Sequence, residues 1–507
     1  MDEILGMLVV FTPYNFMMLS AGTLFGLICG ALPGISGTMA VVVLIPLTYS
    51  LSPAGAFLLL ISTYLAAVFS GSISSILFRT PGAPEAVAVT MDGYPMAERG
   101  EASKALGWSI SSSALGGIFG AMILVFLSPQ MAGFALEFGS AEYFALALAG
   151  ISVIAVMNRG NELKGLVCAG LGLFLACVGI DPMVGSNRFT FDTTELMSGI
   201  NFIPVVTGLF AVSEVLRKIQ ESDTVDPVKL AHSRNVKSVF PSVREWFAPG
   251  RPVLFARSSI LGTIIGILPG VGATTASMLS YSEGVRWSKN PEKWGTGIPE
   301  GIIAPESAAN AAANGALVPL LALGIPGSAT TAVMLGAFVV HGIRPGPTLF
   351  TENLALVYAI FGGSILSNIL FMLYALPFIR IYAHIIRVPY AVLGPIILLL
   401  CIVGCYSVRN SMLDVWTMFL AGLAGYVLEQ YKFPIVSLLL GLVLGGLAES
   451  EFRRALITSG GDFMIFVERP ICLVLLMIAL AAFVLPLFLE IYRHVKSKNG
   501  NQAAEPA

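Results

Sequence analysis

The sequence predicts an all-α, polytopic integral membrane protein of about 12 spans, with re-entrant or broken helices, two inverted structural repeats and a C-terminal helix. The 507 residues are 56% hydrophobic and only 11% charged, whereas soluble domains carry about 25% charged residues. Apolar stretches follow one another along nearly the whole chain, and about 20 apolar residues cross a bilayer as a helix. A Pro-Gly motif also interrupts such stretches in both halves of the chain.

The apolar stretches form two series separated by a polar linker. We predict a first transmembrane repeat over residues 1–216, a cytoplasmic linker over 217–257, a second repeat over 258–450, and a C-terminal span and tail over 451–507. The first series comprises the stretches 15–32, 36–50, 54–78, 104–127, 141–157, 162–179 and 200–216. The second comprises 258–284, 303–322, 326–342, 353–376, 388–406, 413–429 and 433–448, and one more stretch follows at 470–490. Short stretches beside Pro-Gly are expected to be half-spans or re-entrant hairpins.

Two motifs recur in the same order in the two series. The stretch from Gly30 to Thr38 returns in the second series from Gly266 to Thr274. Pro81-Gly82 returns as Pro326-Gly327, at a similar offset along the chain. Ordered matches of this kind favour an internal duplication, and the alternative is chance recurrence of the small residues common in membrane helices.

The distribution of Lys and Arg predicts the orientation. The linker 217–257 holds eight Lys and Arg residues, and the tail holds Arg493, Lys496 and Lys498, so both should be cytoplasmic. The N-terminus lacks these residues and is expected outside. It is acidic and lacks the basic region of a cleaved signal peptide, so the first apolar stretch should stay as a span. An odd number of crossings between N-terminus and linker would make the two halves inverted.

The repeated motifs predict a binding site at the middle of the membrane. Broken helices persist at membrane depth only inside protein or beside a water-filled cavity, and paired breaks in two halves indicate a transporter binding site. The predicted breaks are at Pro33, Gly34, Pro81, Pro269, Gly270 and Pro326. Free N–H groups at half-helix N-termini suit a carboxylate. The predicted substrate-binding residues are Ser36, Gly37, Thr38, Ser75, Thr80, Gly82, Gly272, Thr274, Thr275, Gly327, Ser328 and Thr330. The alternative is a kink that only permits close helix packing.

Two further groups carry polar chemistry within apolar sequence. Glu306, Asn310 and Asn314 recur every four residues and would share one helix face, as a site for a coupling ion or as interhelical hydrogen-bonding groups. Arg79 could bind an anionic substrate, but we favour a structural ion pair with Glu85 or Asp92.

Other function classes have little support. The sequence has no nucleophile elbow, zinc-protease motif or phosphate-binding loop, so we expect no enzyme and no cofactor. A membrane protease would need a nucleophile–base or paired-aspartate arrangement, for which His341 is a weak candidate. The six cysteines and four histidines are scattered, so no metal centre is expected, with a sodium site left unassigned. No basic tract suggests nucleic acid.

These motifs resemble the large membrane subunit of the tripartite tricarboxylate transporters, the TctA family. The matching stretches are Gly30–Thr38, Gly71–Ser75 with Pro81-Gly82, Asp92–Met96, Gly266–Thr275, Pro305–Ala308 and Gly324–Ser328. The resemblance implies a secondary carrier of the bacterial inner membrane that works with a small four-span membrane subunit and a periplasmic solute-binding protein. It implies uptake of citrate or related carboxylates by symport with Na⁺ or H⁺. The alternative is a stand-alone carrier or exchanger for another organic anion.

Overall fold

The structure is a computed structural model that describes residues 6–32, 34–157, 162–181, 183–220, 240–385 and 390–482. Pro33, the middle of the predicted linker and the predicted cytoplasmic tail therefore lie outside the described residues. The only described strands are β1 (Gly179–Ile180) and β2 (Asn187–Arg188), which pair antiparallel with Gly179 opposite Arg188. The prediction of an all-α polytopic membrane protein is confirmed.

Nine described helices of six or more residues begin before the predicted linker. They are α1 (Pro13–Ala31), α2 (Gly37–Thr48), α3 (Pro53–Phe78), α4 (Val87–Met96), α5 (Ala102–Ala135), α6 (Ser140–Met157), α7 (Glu162–Ala176), α8 (Phe202–Thr207) and α9 (Ser213–Gln220). A π-helical turn, Gly208–Val212, joins α8 to α9. Most predicted stretches match a helix within a few residues, but α4 was not predicted, because Gly93 and Pro95 interrupt its apolar pattern.

The described helices of six or more residues that begin after residue 250 follow a similar order. They are α10 (Arg251–Ile267), α11 (Gly272–Trp287), α12 (Glu300–Gly315), α13 (Leu317–Leu323), α14 (Ala329–Val340), α15 (Leu354–Ile385), α16 (Tyr390–Arg409), α17 (Met412–Gln430), α18 (Ile435–Thr458) and α19 (Pro470–Ala482). The predicted stretch 258–284 is two helices, because the chain breaks at its Pro-Gly motif. In the described part of the chain, seven helices are long and apolar enough to cross a membrane.

The chain forms two compact units. The first contains the described residues up to Leu136 and those from Asn201 to Tyr426. The second contains Glu137–Ile200 and the described residues from Val427 onward. Each unit therefore takes segments from both predicted repeats, and the repeat boundaries themselves stay a prediction.

In the second unit, α18 packs against α6 and α7, and an ionic network fixes the loop before β2. Asp181 accepts hydrogen bonds from the backbone N–H of Met183 (2.8 Å) and from the guanidinium of Arg453 (2.6 Å). These bonds lower the pKa of Asp181 to about 2. Its carboxylate therefore stays charged at any pH at which a membrane protein is normally handled.

In the first unit, glycines bring α1 and α3 into backbone contact. A Cβ added to Gly26 would lie 2.3 Å from the carbonyl oxygen of Thr63, and one added to Gly30 would lie 2.4 Å from that of Ala67. Neither distance leaves room for a side chain, so these two helices pack at a separation that only glycine permits.

Helices α10 and α12 repeat this packing. A Cβ on Gly262 would lie 2.2 Å from the carbonyl oxygen of Ala308, and one on Gly266 would lie 2.2 Å from that of Ala312. Gly262 and Gly266 lie as far after Gly26 and Gly30 as the second copy of the first motif lies after its first copy. Likewise, their partners Ala308 and Ala312 lie as far after Thr63 and Ala67 as Pro326 lies after Pro81. The sequence repeat therefore recurs as helix packing.

The two halves of the first unit also exchange helices. Helix α5 packs along α12, and α15 packs along α3. Arg251, where α10 begins, lies over Trp108 near the start of α5, 5.0 Å from the ring centroid. Gly362, near the start of α15, meets the backbone of Met7 ahead of α1. Whether the two halves are inverted in the membrane stays a prediction.

We expect Gly26→Ala and Gly262→Ala to destabilise the protein by about 1–3 kcal/mol each, because the added methyl group meets backbone that cannot rotate away. The measurement is the thermal unfolding midpoint of the purified protein in detergent. Gly133→Ala is the matched control, since a Cβ there meets no atom within 4 Å. If Gly26→Ala and Gly262→Ala unfolded at the wild-type midpoint, these helix pairs would have room to separate and the close-packing interpretation would be wrong.

Candidate functional site

The first broken helix lies between α1 and α2. Gly34 adopts a positive φ of 91°, which glycine tolerates without steric cost. Ser36 is the N-cap of α2, and its hydroxyl accepts a hydrogen bond from the N–H of Met39 at 3.2 Å. Gly37 is the first helical residue and is buried, and Thr38 follows, half-buried. Three of the predicted residues thus form the N-terminus of a half-helix.

The second broken helix lies between α10 and α11. Pro269 occupies the break, and Gly270 and Gly272 both adopt positive φ, 78° and 71°. The N–H of Gly270 donates to the carbonyl oxygen of Gly327 at 3.0 Å. Thr274 and Thr275 follow in the first turn of α11 and are exposed.

Between α3 and α4 the chain folds back on itself. Gly82 donates its N–H to the carbonyl oxygen of Gly71 at 3.1 Å, and a Cβ on it would lie 2.4 Å from the carbonyl oxygen of Gly30. Pro81 precedes it and Thr80 is exposed. The buried hydroxyl of Ser75 donates to the Gly71 carbonyl oxygen at 3.1 Å, so its proton is used within its own helix.

The loop between α13 and α14 forms the equivalent break in the second half. Pro326 and Gly327 are buried, and a Cβ on Gly327 would lie 2.4 Å from the carbonyl oxygen of Gly266, as Gly82 does against Gly30. Ser328 caps α14: its hydroxyl accepts from the N–H of Thr331 at 3.2 Å, and Thr331 Oγ1 accepts from the N–H of Ser328 at 2.8 Å.

The breaks of the two halves meet in pairs. Thr38 Oγ1 and Thr330 Oγ1 are hydrogen-bonded at 2.7 Å, so the N-termini of α2 and α14 lie together. On the other side, Ser277 of α11 donates its hydroxyl hydrogen to the carbonyl oxygen of Glu85 at 2.7 Å. The first motif of each half therefore faces the second motif of the other.

A lysine that sequence reasoning treated only as linker charge reaches the first of these pairs. A Cβ on Gly34 would lie 2.3 Å from Lys218 Cε and 3.3 Å from its Nζ. The Lys218 side chain therefore lies over the break between α1 and α2. Only the fold could show this, because most of the first repeat separates Lys218 from Gly34 in the sequence.

The expected ion pair of Arg79 with Glu85 or Asp92 is wrong. Among the described residues Arg79 makes no ion pair, and its guanidinium lies over the ring of Tyr94, 5.6 Å from the centroid. Both residues line a cavity of about 380 Å³. The side chain of Asp92 has other partners.

Asp92 is instead the anchor of the loop before α12. Its buried carboxylate accepts hydrogen bonds from Tyr281 Oη (2.8 Å) and from the N–H groups of Gly297 (2.7 Å) and Ile298 (2.9 Å). The N–H of Gly295 donates to it as well. Asp92 thus joins a helix of the first half to a loop of the second.

Helix α12 places Glu306, Asn310 and Asn314 on one buried face, against α5. The carboxylate of Glu306 accepts hydrogen bonds from the hydroxyl of Ser113 at 2.6 Å and from that of Ser109. The amide of Asn310 donates to the carbonyl oxygen of Glu306 at 3.2 Å, and that of Asn314 to the carbonyl oxygen of Asn310 at 3.1 Å. The spacing prediction holds, and the role of the three in ion coupling stays a prediction.

Helices that cross a membrane, break in pairs and meet at their broken ends between two duplicated halves are typical of membrane transporters. The sequence profile described as the tripartite tricarboxylate transporter TctA family matches residues 16–440. The chain belongs to this family. It is a multi-pass membrane transporter of the tripartite tricarboxylate type and not an enzyme.

Two curated relatives come from Agrobacterium vitis. An uncharacterized 52.8 kDa protein in the TAR-I ttuC' 3' region is 38% identical over 484 residues, which cover 95% of both chains. An uncharacterized protein in the TAR-II ttuC' 3' region is 42% identical over 226 residues, covering 45% of this chain and 93% of the relative. No solved structure matches the chain significantly.

We expect Asp92→Asn to destabilise the loop before α12. The substitution replaces one of the two carboxylate oxygens, which together accept four hydrogen bonds, by an NH₂ group that cannot accept any. Leaving buried donors unpaired costs about 1–3 kcal/mol or more. The measurement is the rate of tryptic cleavage after Lys293, which is exposed within this loop, together with the unfolding midpoint. Glu451→Gln, which removes an ion pair with the exposed Arg454 in the second unit, is the control and should change neither. Equal cleavage rates for Asp92→Asn and wild type would contradict the anchoring role.

Proposed function

We propose that this protein is the large permease subunit of a binding-protein-dependent secondary transporter that imports tricarboxylates or related carboxylates, driven by a sodium or proton gradient. The observation that carries the proposal is the hydrogen bond between Thr38 and Thr330, which joins half-helix N-termini from the two halves. Each such N-terminus presents free N–H groups and roughly half a positive charge. Two N-termini side by side suit the negative charge of a carboxylate.

We assign the first carboxylate to the paired N-termini of α2 and α14. This pair contains Ser36, Gly37 and Thr38 from one half and Ser328 and Thr330 from the other. Lys218 adds a full positive charge beside the same break, and an ammonium is a strong hydrogen-bond donor to a carboxylate. A second carboxylate would face Gly272, Thr274 and Thr275 at the start of α11, with Thr80, Gly82 and Gly327 in the adjoining loops.

Transport would proceed by alternating access around these helix N-termini, with an elevator-type motion by analogy to other binding-protein-dependent carriers. Glu306, Asn310 and Asn314 would hold the coupling ion, Na⁺ or H⁺. The family description supports a tripartite assembly, which we propose to comprise this chain, a small four-span membrane subunit and a periplasmic solute-binding protein. In this arrangement the protein lies in the bacterial inner membrane with its N-terminus outside and its C-terminus in the cytoplasm.

The test is uptake of labelled citrate into proteoliposomes that contain this chain and its small subunit. The assay is run with and without the binding protein, under an imposed sodium gradient and, separately, a proton gradient. Uptake that requires the binding protein and one of the gradients is the expected result. If another carboxylate is taken up and citrate is not, the substrate assignment changes within the same class.

One result of this assay would favour the alternative. Gradient-driven uptake or anion exchange that is equally fast without the binding protein would identify a stand-alone carrier or exchanger, and would contradict the tripartite proposal.

The assigned carboxylate site predicts a specific loss in the same assay. We expect Lys218→Gln to reduce the apparent kcat/KM for uptake by roughly 10- to 100-fold, because a hydrogen bond to a charged group contributes about 1.5–3 kcal/mol. Arg217→Gln is the matched control: Arg217 is adjacent, exposed and paired with Glu214 at 2.6 Å. A similar, small effect of both substitutions would exclude Lys218 from the site.

A further inference from the structure

Three asparagines at the meeting point of α5, α12 and α15 are fully buried, and in each the NH₂ group is hydrogen-bonded while the side-chain oxygen is not. Asn310, Asn314 and Asn368 have no exposed surface. The Oδ1 atom of each has no hydrogen-bond partner in the described part of the chain. Buried polar atoms in native proteins are nearly always paired, so three orphan oxygens in one region need a physical explanation.

The orientation of each amide is fixed by its NH₂ group. Asn310 donates to the carbonyl oxygen of Glu306 at 3.2 Å, and Asn368 donates to that of Ser364 at 2.7 Å. Asn314 donates to the carbonyl oxygens of Gly117 and Asn310, both at 3.1 Å. With their donors used in this way, the three side chains offer only oxygen.

Gly117 of α5 is the point at which these helices come together. Its carbonyl oxygen accepts from Asn314, and a Cβ added to it would lie 1.8 Å from Asn368 Oδ1. No residue other than glycine fits at this position. The hydroxyl oxygen of Ser364, one turn before Asn368 on α15, is also buried with no partner among the described residues, so oxygen atoms from both α12 and α15 are available here.

A negative charge lies on the same helix face. Glu306 is 2% exposed, and both of its carboxylate oxygens accept hydrogen bonds from serine hydroxyls. None of the described Lys, Arg or His residues pairs with it. A buried charge without a partner of opposite sign is costly, so Glu306 requires either a proton or a nearby cation.

We propose that the orphan oxygens of Asn310, Asn314 and Asn368 bind a sodium ion, with Glu306 as its counter-charge on the same face of α12. The proposal rests on the proposed ion-coupled transport and deepens it, because it names the ion and adds a ligand from α15. Amide oxygens bind hard cations but do not take up a proton near neutral pH. A single monovalent charge balances the single carboxylate.

The test is direct binding of ²²Na⁺ to the purified full-length protein in nanodiscs, by equilibrium scintillation proximity. Thermal unfolding midpoints in NaCl, KCl and choline chloride at equal ionic strength provide a second readout. We expect saturable binding to the wild type and stabilisation by Na⁺ beyond that by K⁺ or choline. Asn368→Ala, Asn314→Ala and Glu306→Gln should each raise the half-saturating Na⁺ concentration at least about tenfold.

Asn15→Ala is the matched control, because it removes another buried asparagine of the same unit whose amide donates to the Val9 carbonyl oxygen at 3.0 Å. It should leave Na⁺ binding within about twofold of wild type. Should Asn368→Ala fail to fold, Asn368→Asp keeps the side-chain size and an oxygen ligand, and it should bind Na⁺ at least as tightly as the wild type.

Absence of saturable Na⁺ binding would overturn the proposal, and so would equal affinities for Asn368→Ala, Asn314→Ala and Asn15→Ala. Buried water would then be what satisfies the asparagines. Carboxylate uptake at the full rate in sodium-free buffer, driven by a proton gradient, would reject the sodium site and leave the proposed function intact. Sodium binding without carboxylate uptake under either gradient would support the sodium site and reject the proposed function.

Discussion

The constraint on which this structure depends is that a helix broken at membrane depth must have its free backbone groups satisfied by protein. Water is excluded there, and each unpaired N–H or C=O costs several kcal/mol. The chain meets this constraint by folding the breaks against one another and against neighbouring helices: Gly270 donates to Gly327 in another break, and Gly82 donates to Gly71 of α3. Such contacts between backbones need glycine. Four glycines of the repeated motifs pack directly on carbonyl oxygens: Gly30, Gly82, Gly266 and Gly327.

The duplicated scaffold carries polar groups that are not duplicated. The glycine contacts recur in both halves, whereas the first-half counterparts of Glu306, Asn310 and Asn314, at the offset that relates Pro81 to Pro326, are buried hydrophobics: Ile61, Leu65 and Phe69. Lys218 lies beside the break at Gly34, whereas Glu85 lies beside α11. The repeat thus supplies the paired helix N-termini, and the divergence between its copies supplies the different polar groups beside them.

Sequence reasoning succeeded where a local pattern has one physical consequence. Hydropathy predicted the membrane class, since about 20 apolar residues have few alternatives to crossing a bilayer. Spacing of four residues predicted the common face of Glu306 and its two asparagines, because helix periodicity fixes it. It failed for Arg79, because charge and proximity in sequence do not tell which partner a carboxylate such as Asp92 will have after folding.

The sequence by itself therefore determined the membrane class, the family, the internal repeat and the positions of the helix breaks, all of which follow from residue type and order. Only the tertiary structure decided that Thr38 meets Thr330, that Lys218 covers Gly34 and that Asn368 joins Asn314 at Gly117. The partners in these contacts are distant in the sequence, and whether they meet depends on which helix faces pack together. Helix packing is set by the shape of whole surfaces, and no local spacing encodes it.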